Sequence, residues 1–171
     1  ATATDAPVLS KQAAAVWAKH DMSNTFDLNS GIPIDVLDKL AHVFKHNLWP
    51  RTASVLLDWD KTLTMHSAFR RVVAAEPHAP ECFFGGAERM QKVALFLKNA
   101  QRRVPVRIIT SNPVANNEEG RAYFAAVLQR LKVFDIPVEY VPERKTYHIR
   151  GNDSLYGIRC TPCQGVECEQ W

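Results

Sequence analysis

Residues 54–66 read SVLLDWDKTLTMH, and this stretch decides the fold. Val55, Leu56 and Leu57 make a short apolar run that ends on Asp58; Asp60 follows two residues on, and Thr62 two beyond that. An unbroken apolar run of this length, closed by acids, is the pattern of a strand buried on both faces in a parallel sheet. Two carboxylates so close repel one another, and both favour water or a cation. They are either a site for phosphoryl chemistry or the solvated polar end of a strand leading into a helix.

Working outward, VPVRIIT (104–110) is a second buried strand, ending on Thr110 with Ser111 and Asn112 behind it, and IPVEYV (136–141) is a third. GGAERMQKVALFLKNAQRR (85–103) predicts a helix opened by Gly85-Gly86, with Val93, Phe96 and Leu97 on one face. SNPVANNEEGRAYFAAVLQRLKVF (111–134) predicts a loop leading into another helix, and residues 65–75 a helix broken at EPHAPE. Strand and helix in alternation predict an α/β fold with a parallel sheet and right-handed crossovers. Ligands of such sheets bind beyond the carboxyl ends of the strands. Asp58 and Asp60 therefore converge with Thr110, Ser111 and Asn112 on one edge.

Ahead of this core, residues 8–20 read as a short Ala-rich helix and 21–31 as a turn-rich linker. Residues 32–49 read as an amphipathic helix, with Ile34, Leu37, Leu40, Ala41 and Phe44 on its apolar side and Pro50 closing it. The chain divides into a helical N-terminal extension (1–50), packed on the core or on a partner, an α/β core (51–155) and a cysteine-containing C-terminal tail (156–171).

A hydrophobic fraction of 46% and a charged fraction of 23% over 171 residues are those of a soluble globular protein able to bury a core. The net charge of +3 gives no strong nucleic-acid or anionic-membrane signal, because the basic residues are scattered. Arg102, Arg103 and Arg107 read as a solvated rim. No apolar run approaches the ~20 residues that span a bilayer. The opening ATATDAPVLS holds neither an initiator Met nor a stretch of signal-peptide type.

Of the four cysteines, Cys82 stands alone while Cys160, Cys163 and Cys168 crowd the tail. That spacing predicts reduced thiols or a metal rather than a disulfide framework, and favours a reducing intracellular compartment. Zn²⁺ on the three tail cysteines would need a fourth ligand from Cys82, His148 or a partner; a polar tail is the alternative.

A carboxylate at a strand end can attack phosphorus and split one displacement into two easier ones. Its approach to a phosphate needs a cation, and Mg²⁺ takes one or two carboxylates and keeps waters and substrate oxygens for the rest. That gives Asp58 the role of nucleophile and Asp60 that of acid and base, with both near the metal. Thr62 would fix the loop through the backbone or Asp60. Thr110 would hold a phosphoryl oxygen or cap the helix that follows. Trp59, between the acids, would point away from them, into the core or against the insert that follows.

VLLDWDKTLT resembles motif I of the haloacid dehalogenase (HAD) superfamily, an apolar strand followed by DxDx(T/V), and RIITSN resembles its motif II. The resemblance spans about residues 52–145; DWDKTLT, FFGGAERM and IITSNP look closest to HAD-like hydrolases of large DNA viruses and some protists. It implies a three-layer Rossmann-type sheet and a Mg²⁺-dependent phosphohydrolase working through an aspartyl-phosphate. Asp58 would be nucleophile, Asp60 acid/base, and Thr110, with Thr62, Ser111 and Asn112, would line the phosphate site. The family's third motif is a lysine, for which Lys145 in PERKTYH is the positional candidate and an ordinary surface lysine the alternative. Its fourth is an acidic pair after a fourth strand; Asp153 is the candidate metal ligand there, or else a turn residue in GND. VEYVPERKTYHI reads equally well as an antiparallel hairpin with Lys145 in its turn. Only Met65 to Arg103 separates the first two motifs, which leaves no room for a substantial cap. An open site would admit a small phosphomonoester or a phosphorylated macromolecule. A second function class is a HAD-like scaffold subunit, meeting a protein partner through the N-terminal helices or the tail.

Overall fold

The computed structural model describes residues 9–19, 31–47, 55–65, 76–140 and 158–160. Strands β1 (Val55–Asp58), β2 (Val106–Thr110) and β3 (Val138–Tyr140) pair in parallel, and β4 (Ile158–Cys160) adds to the free side of β1 in the antiparallel sense. The order across the sheet is β3-β2-β1-β4. The chain is therefore α/β with a small open sheet of three parallel strands, as the alternation predicted. β4 is a departure: residues read as tail supply a strand, and it lies at the opposite edge from β3.

The described residues form five α-helices: α1 (Lys11–Lys19), α2 (Ile34–Lys45), α3 (Ala79–Phe83), α4 (Ala87–Gln101) and α5 (Glu118–Arg130). Helix α4 crosses from β1 to β2, and α5 from β2 to β3. Both crossovers step the same way along the sheet, so right-handedness sets both helices on one face. Buried apolar residues of all five helices join one cluster with Val55, Leu57, Val106 and Ile108. Leu56 and Ile109, also buried, stand outside that cluster in the other row of the pleat. Among the described residues, then, the helices contribute to the cluster on one face of the sheet.

The N-terminal extension packs on the core. Leu37, Leu40, Ala41 and Phe44 of α2 are buried against α4, with the Phe44 and Phe96 rings 6.0 Å apart. Ile34, expected on that apolar face, is exposed instead at the first residue of the helix. Asn99 donates to the Ala41 carbonyl at 2.9 Å, and Arg103 donates to the carbonyls of Phe44 (2.9 Å) and Lys45 (2.7 Å). Arg103 thus satisfies the orphan carbonyls at the end of α2, and Arg107 pairs with Glu139 at 3.4 Å; these two arginines do more than form a solvated rim. Helix α1 is held by Glu81, which accepts from Ser10 N at 2.6 Å and from Ser10 Oγ at 3.1 Å. Gly85 and Gly86 have φ of 77° and 106° and open α4, as expected. Between β1 and β2, buried residues of α3 and α4 belong to the core cluster.

Candidate functional site

After Asp58 the chain makes a wide turn, Trp59–Leu63, closed by the Thr64 amide on the Trp59 carbonyl at 3.2 Å. The Trp59 ring anchors it. It is fully buried, edge-on to Phe84 (5.8 Å) and Phe124 (5.1 Å), which is the inward direction the sequence predicted. Asp58 and Asp60 flank it, both half-buried. Asp60 is extended and Lys61 left-handed, with φ 57°. Thr64 braces this backbone: its hydroxyl accepts from Lys61 N at 3.2 Å and donates to the Trp59 carbonyl at 3.3 Å. Thr62 donates to Asp58 Oδ2 at 3.0 Å. The sequence pointed Thr62 at the backbone or Asp60; the turn folds it back onto Asp58 instead, where it fixes that carboxylate's orientation.

The turn is also laced from outside. Gly31 N donates to the Lys61 carbonyl at 2.7 Å and Ile32 N to the Thr62 carbonyl at 2.9 Å. Behind both lies Arg89, only 4% exposed. Its Nε and Nη2 donate to the Ile32 carbonyl at 3.3 and 3.1 Å, Nη2 also to the Thr62 carbonyl at 3.0 Å, and Nη1 to those of Leu63 (2.6 Å) and Phe84 (3.2 Å). Burial pulls the Arg89 pKa down to about 10, still far above neutrality, so the guanidinium stays charged. Gly31 has φ 84°, and a Cβ there would come within 2.6 Å of Met65 Sδ and 2.8 Å of Arg89 Nη2. Sequence reasoning took neither Gly31 nor Arg89 for part of the site. The one signal was Arg89 itself, a charge on the same helix stripe as Val93, Phe96 and Ala100.

The end of β2 is built differently. The register sets Asp58 beside Ile109, so Thr110 is the next step along the same carboxyl edge. Thr110 is 2% exposed and its hydroxyl accepts from Asn112 N at 3.1 Å. Asn112 Oδ1 accepts from Val114 N at 3.0 Å and caps the short 3₁₀ turn Pro113–Asn116; Asn117 Oδ1 accepts from Gly120 N at 2.7 Å and caps α5. The capping role considered for Thr110 therefore falls to Asn112 and Asn117. Thr110 continues the core-facing row of Val106 and Ile108, whereas Asp58 continues the row of Leu56, so the two reach one edge from opposite sides of the pleat. Ser111, between Thr110 and Asn112, is half-buried.

Lys145, Asp153, His148, Cys163 and Cys168 lie outside the described residues. Cys160 is the last residue of β4. Cys82, in α3, is buried against α1 with its Sγ 3.1 Å from the Ala13 carbonyl; burial, reinforced by Glu81, pushes its thiol up to about 11. Among the described residues no three His, Cys, Asp or Glu side chains gather as a metal-binding group. The donors that the edge offers are the two carboxylates of Asp58 and Asp60 on one turn, oxygen ligands of the kind a hard cation takes. A groove of about 300 Å³ lined by Met90, Leu95, Lys98 and Lys132 belongs to α4 and the end of α5, and takes no lining from the turn or from residues 110–112.

No family model, no curated protein and no solved structure matches this chain.

Proposed function

We propose that the chain is a HAD-type, Mg²⁺-dependent phosphohydrolase acting on a phosphomonoester. The observation that supports the reading is the β1–β2 register, which pairs Asp58 with Ile109 and so leaves Asp58 and Thr110 one residue out of step at the same carboxyl edge, on opposite sides of the pleat. Asp58, oriented by Thr62, attacks phosphorus; the P–O bond to the leaving group breaks as the Asp58–phosphorus bond forms. Asp60 gives its proton to the departing oxygen. It then takes one from the water that opens the aspartyl-phosphate, which returns Asp58 as carboxylate and releases phosphate. Thr110 is the proposed phosphate binder at the end of β2, its hydroxyl oxygen already accepting from Asn112 N. Asp58 and the backbone around Asp60 would hold Mg²⁺, whose contribution is to neutralise phosphate charge. Lys145 is the proposed partner of the nucleophile and phosphate, and Asp153 the proposed third ligand. Asp153 precedes Ile158 in the chain, and Ile158 enters the sheet beside Leu57.

Turnover of an aryl phosphate with Mg²⁺ by the wild type, and its loss in Asp58→Asn, tests this. Equal background rates in both proteins reject it. A second reading, a HAD-like scaffold subunit, draws on one observation: Thr110 and Asn112 both engage side-chain oxygens in the local turn. Mg²⁺ separates the two, because a ligand that binds only the folded state raises the melting temperature. A scaffold without the site shows no rise.

A further inference from the structure

We infer that Arg89 is a positioning residue that holds the Asp58–Thr64 turn in its working shape, an inference that rests on the phosphohydrolase reading for its catalytic part. A guanidinium carries five N–H donors in a rigid fork. Here all five point at main-chain carbonyls, those of Ile32, Thr62, Leu63 and Phe84. These carbonyls come from three separate places: the segment before α2, the turn after β1, and the end of α3. The Thr62 carbonyl also accepts from Ile32 N, but those of Ile32, Leu63 and Phe84 would otherwise be buried acceptors in need of a donor, and leaving such a group unmet is costly. A charge this deeply buried is tolerated only where its donors are all met, and a lysine, with three donors on a flexible stem, cannot reproduce the fork.

The placement gives this clamp a functional direction. Thr62 and Leu63 are adjacent in the turn that carries Asp60, and the same Thr62 whose carbonyl Arg89 grips bonds Asp58 with its hydroxyl. Releasing the fork frees the backbone of Thr62, and with it the orientation of Asp58. It also weakens the seam in which Gly31 and Ile32 amides meet the Lys61 and Thr62 carbonyls. Small misplacements of reacting groups cost about a hundredfold in rate.

The test compares wild type with Arg89→Met and Arg89→Lys, at a temperature where near-UV circular dichroism shows all three folded. Two readouts are taken: amide hydrogen exchange at Gly31, Ile32 and Thr64, and kcat and KM for an aryl phosphate at saturating Mg²⁺. The expected result is faster exchange at all three amides in Arg89→Met. Its kcat falls about a hundredfold with KM within about threefold, because phosphate contacts on the β2 side are untouched. Arg89→Lys falls between the two. Unchanged exchange in Arg89→Met overturns the clamp, and faster exchange with wild-type kcat overturns its catalytic role. A wild type without turnover but with the exchange change rejects the phosphohydrolase reading and leaves the clamp standing. If Arg89→Met does not fold, Arg89→Lys alone decides: wild-type exchange and kcat there overturn the proposal.

Discussion

The two halves of the candidate site are held by opposite strategies. The turn after β1 is tied to distant chain: Gly31, Ile32 and Arg89 reach it across long sequence separations and grip its main chain. The end of β2 is held by neighbours, with Asn112 bonding Val114 and Asn117 bonding Gly120. A turn with two carboxylates and a left-handed Lys61 would not keep its shape alone. The β2 end is an ordinary pair of caps, stable from local sequence. The N-terminal extension is thus part of the site's frame, and removing it would loosen one half while sparing the other.

This contrast can be broken at several points. For turnover, after the loss in Asp58→Asn and the fall in Arg89→Met, the next effect on the laced half belongs to Thr62→Val, which removes the hydroxyl that orients Asp58. Its kcat should fall roughly ten- to a hundredfold, the value of a charge-assisted hydrogen bond. For stability, Trp59→Ala leads: it empties the anchor of the turn and should cost about 3–5 kcal/mol in urea unfolding. Gly31→Ala forces a side chain into a positive φ against Met65 and Arg89, at a cost of about 2 kcal/mol. It should also quicken amide exchange at Thr64 while leaving exchange at Gly120 unchanged. Asn117→Ala should cost about 1 kcal/mol, the ordinary value of a helix cap, with no change at Thr64. An equal response at Thr64 to the last two variants would abolish the distinction between a laced half and a capped half.

A separate, pH-dependent effect concerns Cys82. Its thiol is held up to about 11 in the folded chain, mainly by burial, against an ordinary value of 9.0. The unfolded thiol ionises first as pH rises, so this contribution to stability is complete below about pH 9 and is lost by about pH 11. The melting temperature of wild type should fall slightly more over that window than that of Cys82→Ala. At pH 8 iodoacetamide should modify Cys82 only after unfolding, as peptide mass spectrometry would show.

What the sequence disclosed follows the same division. β1 was legible because a short unbroken apolar run ending in an acid is the mark of a buried strand, and β2 and β3 because β-branched and aromatic residues surround a single charge in each. The buried stripes of α2 and α4 were legible from spacing, and the inward turn of Trp59 from alternation. Arg89 was hidden because its partners are carbonyl oxygens, which every residue has and no residue type announces. Gly31 was hidden because its constraint comes from Met65 and Arg89, far along the chain. Ile34 looked like a core position because spacing ignores that the first turn of a helix can lie beyond its partner's edge. β4 escaped because three residues, Ile158, Arg159 and Cys160, are too few to display a period.

The reversed direction of β4 has a geographical result. Its first residue stands beside Leu57 and its last, Cys160, beside Val55. Cys160 and Asp58 are consequently posted at opposite ends of a short corridor, about 10 Å apart along the strand. The chain therefore enters the sheet at the edge that carries the candidate turn and leaves it at the far one.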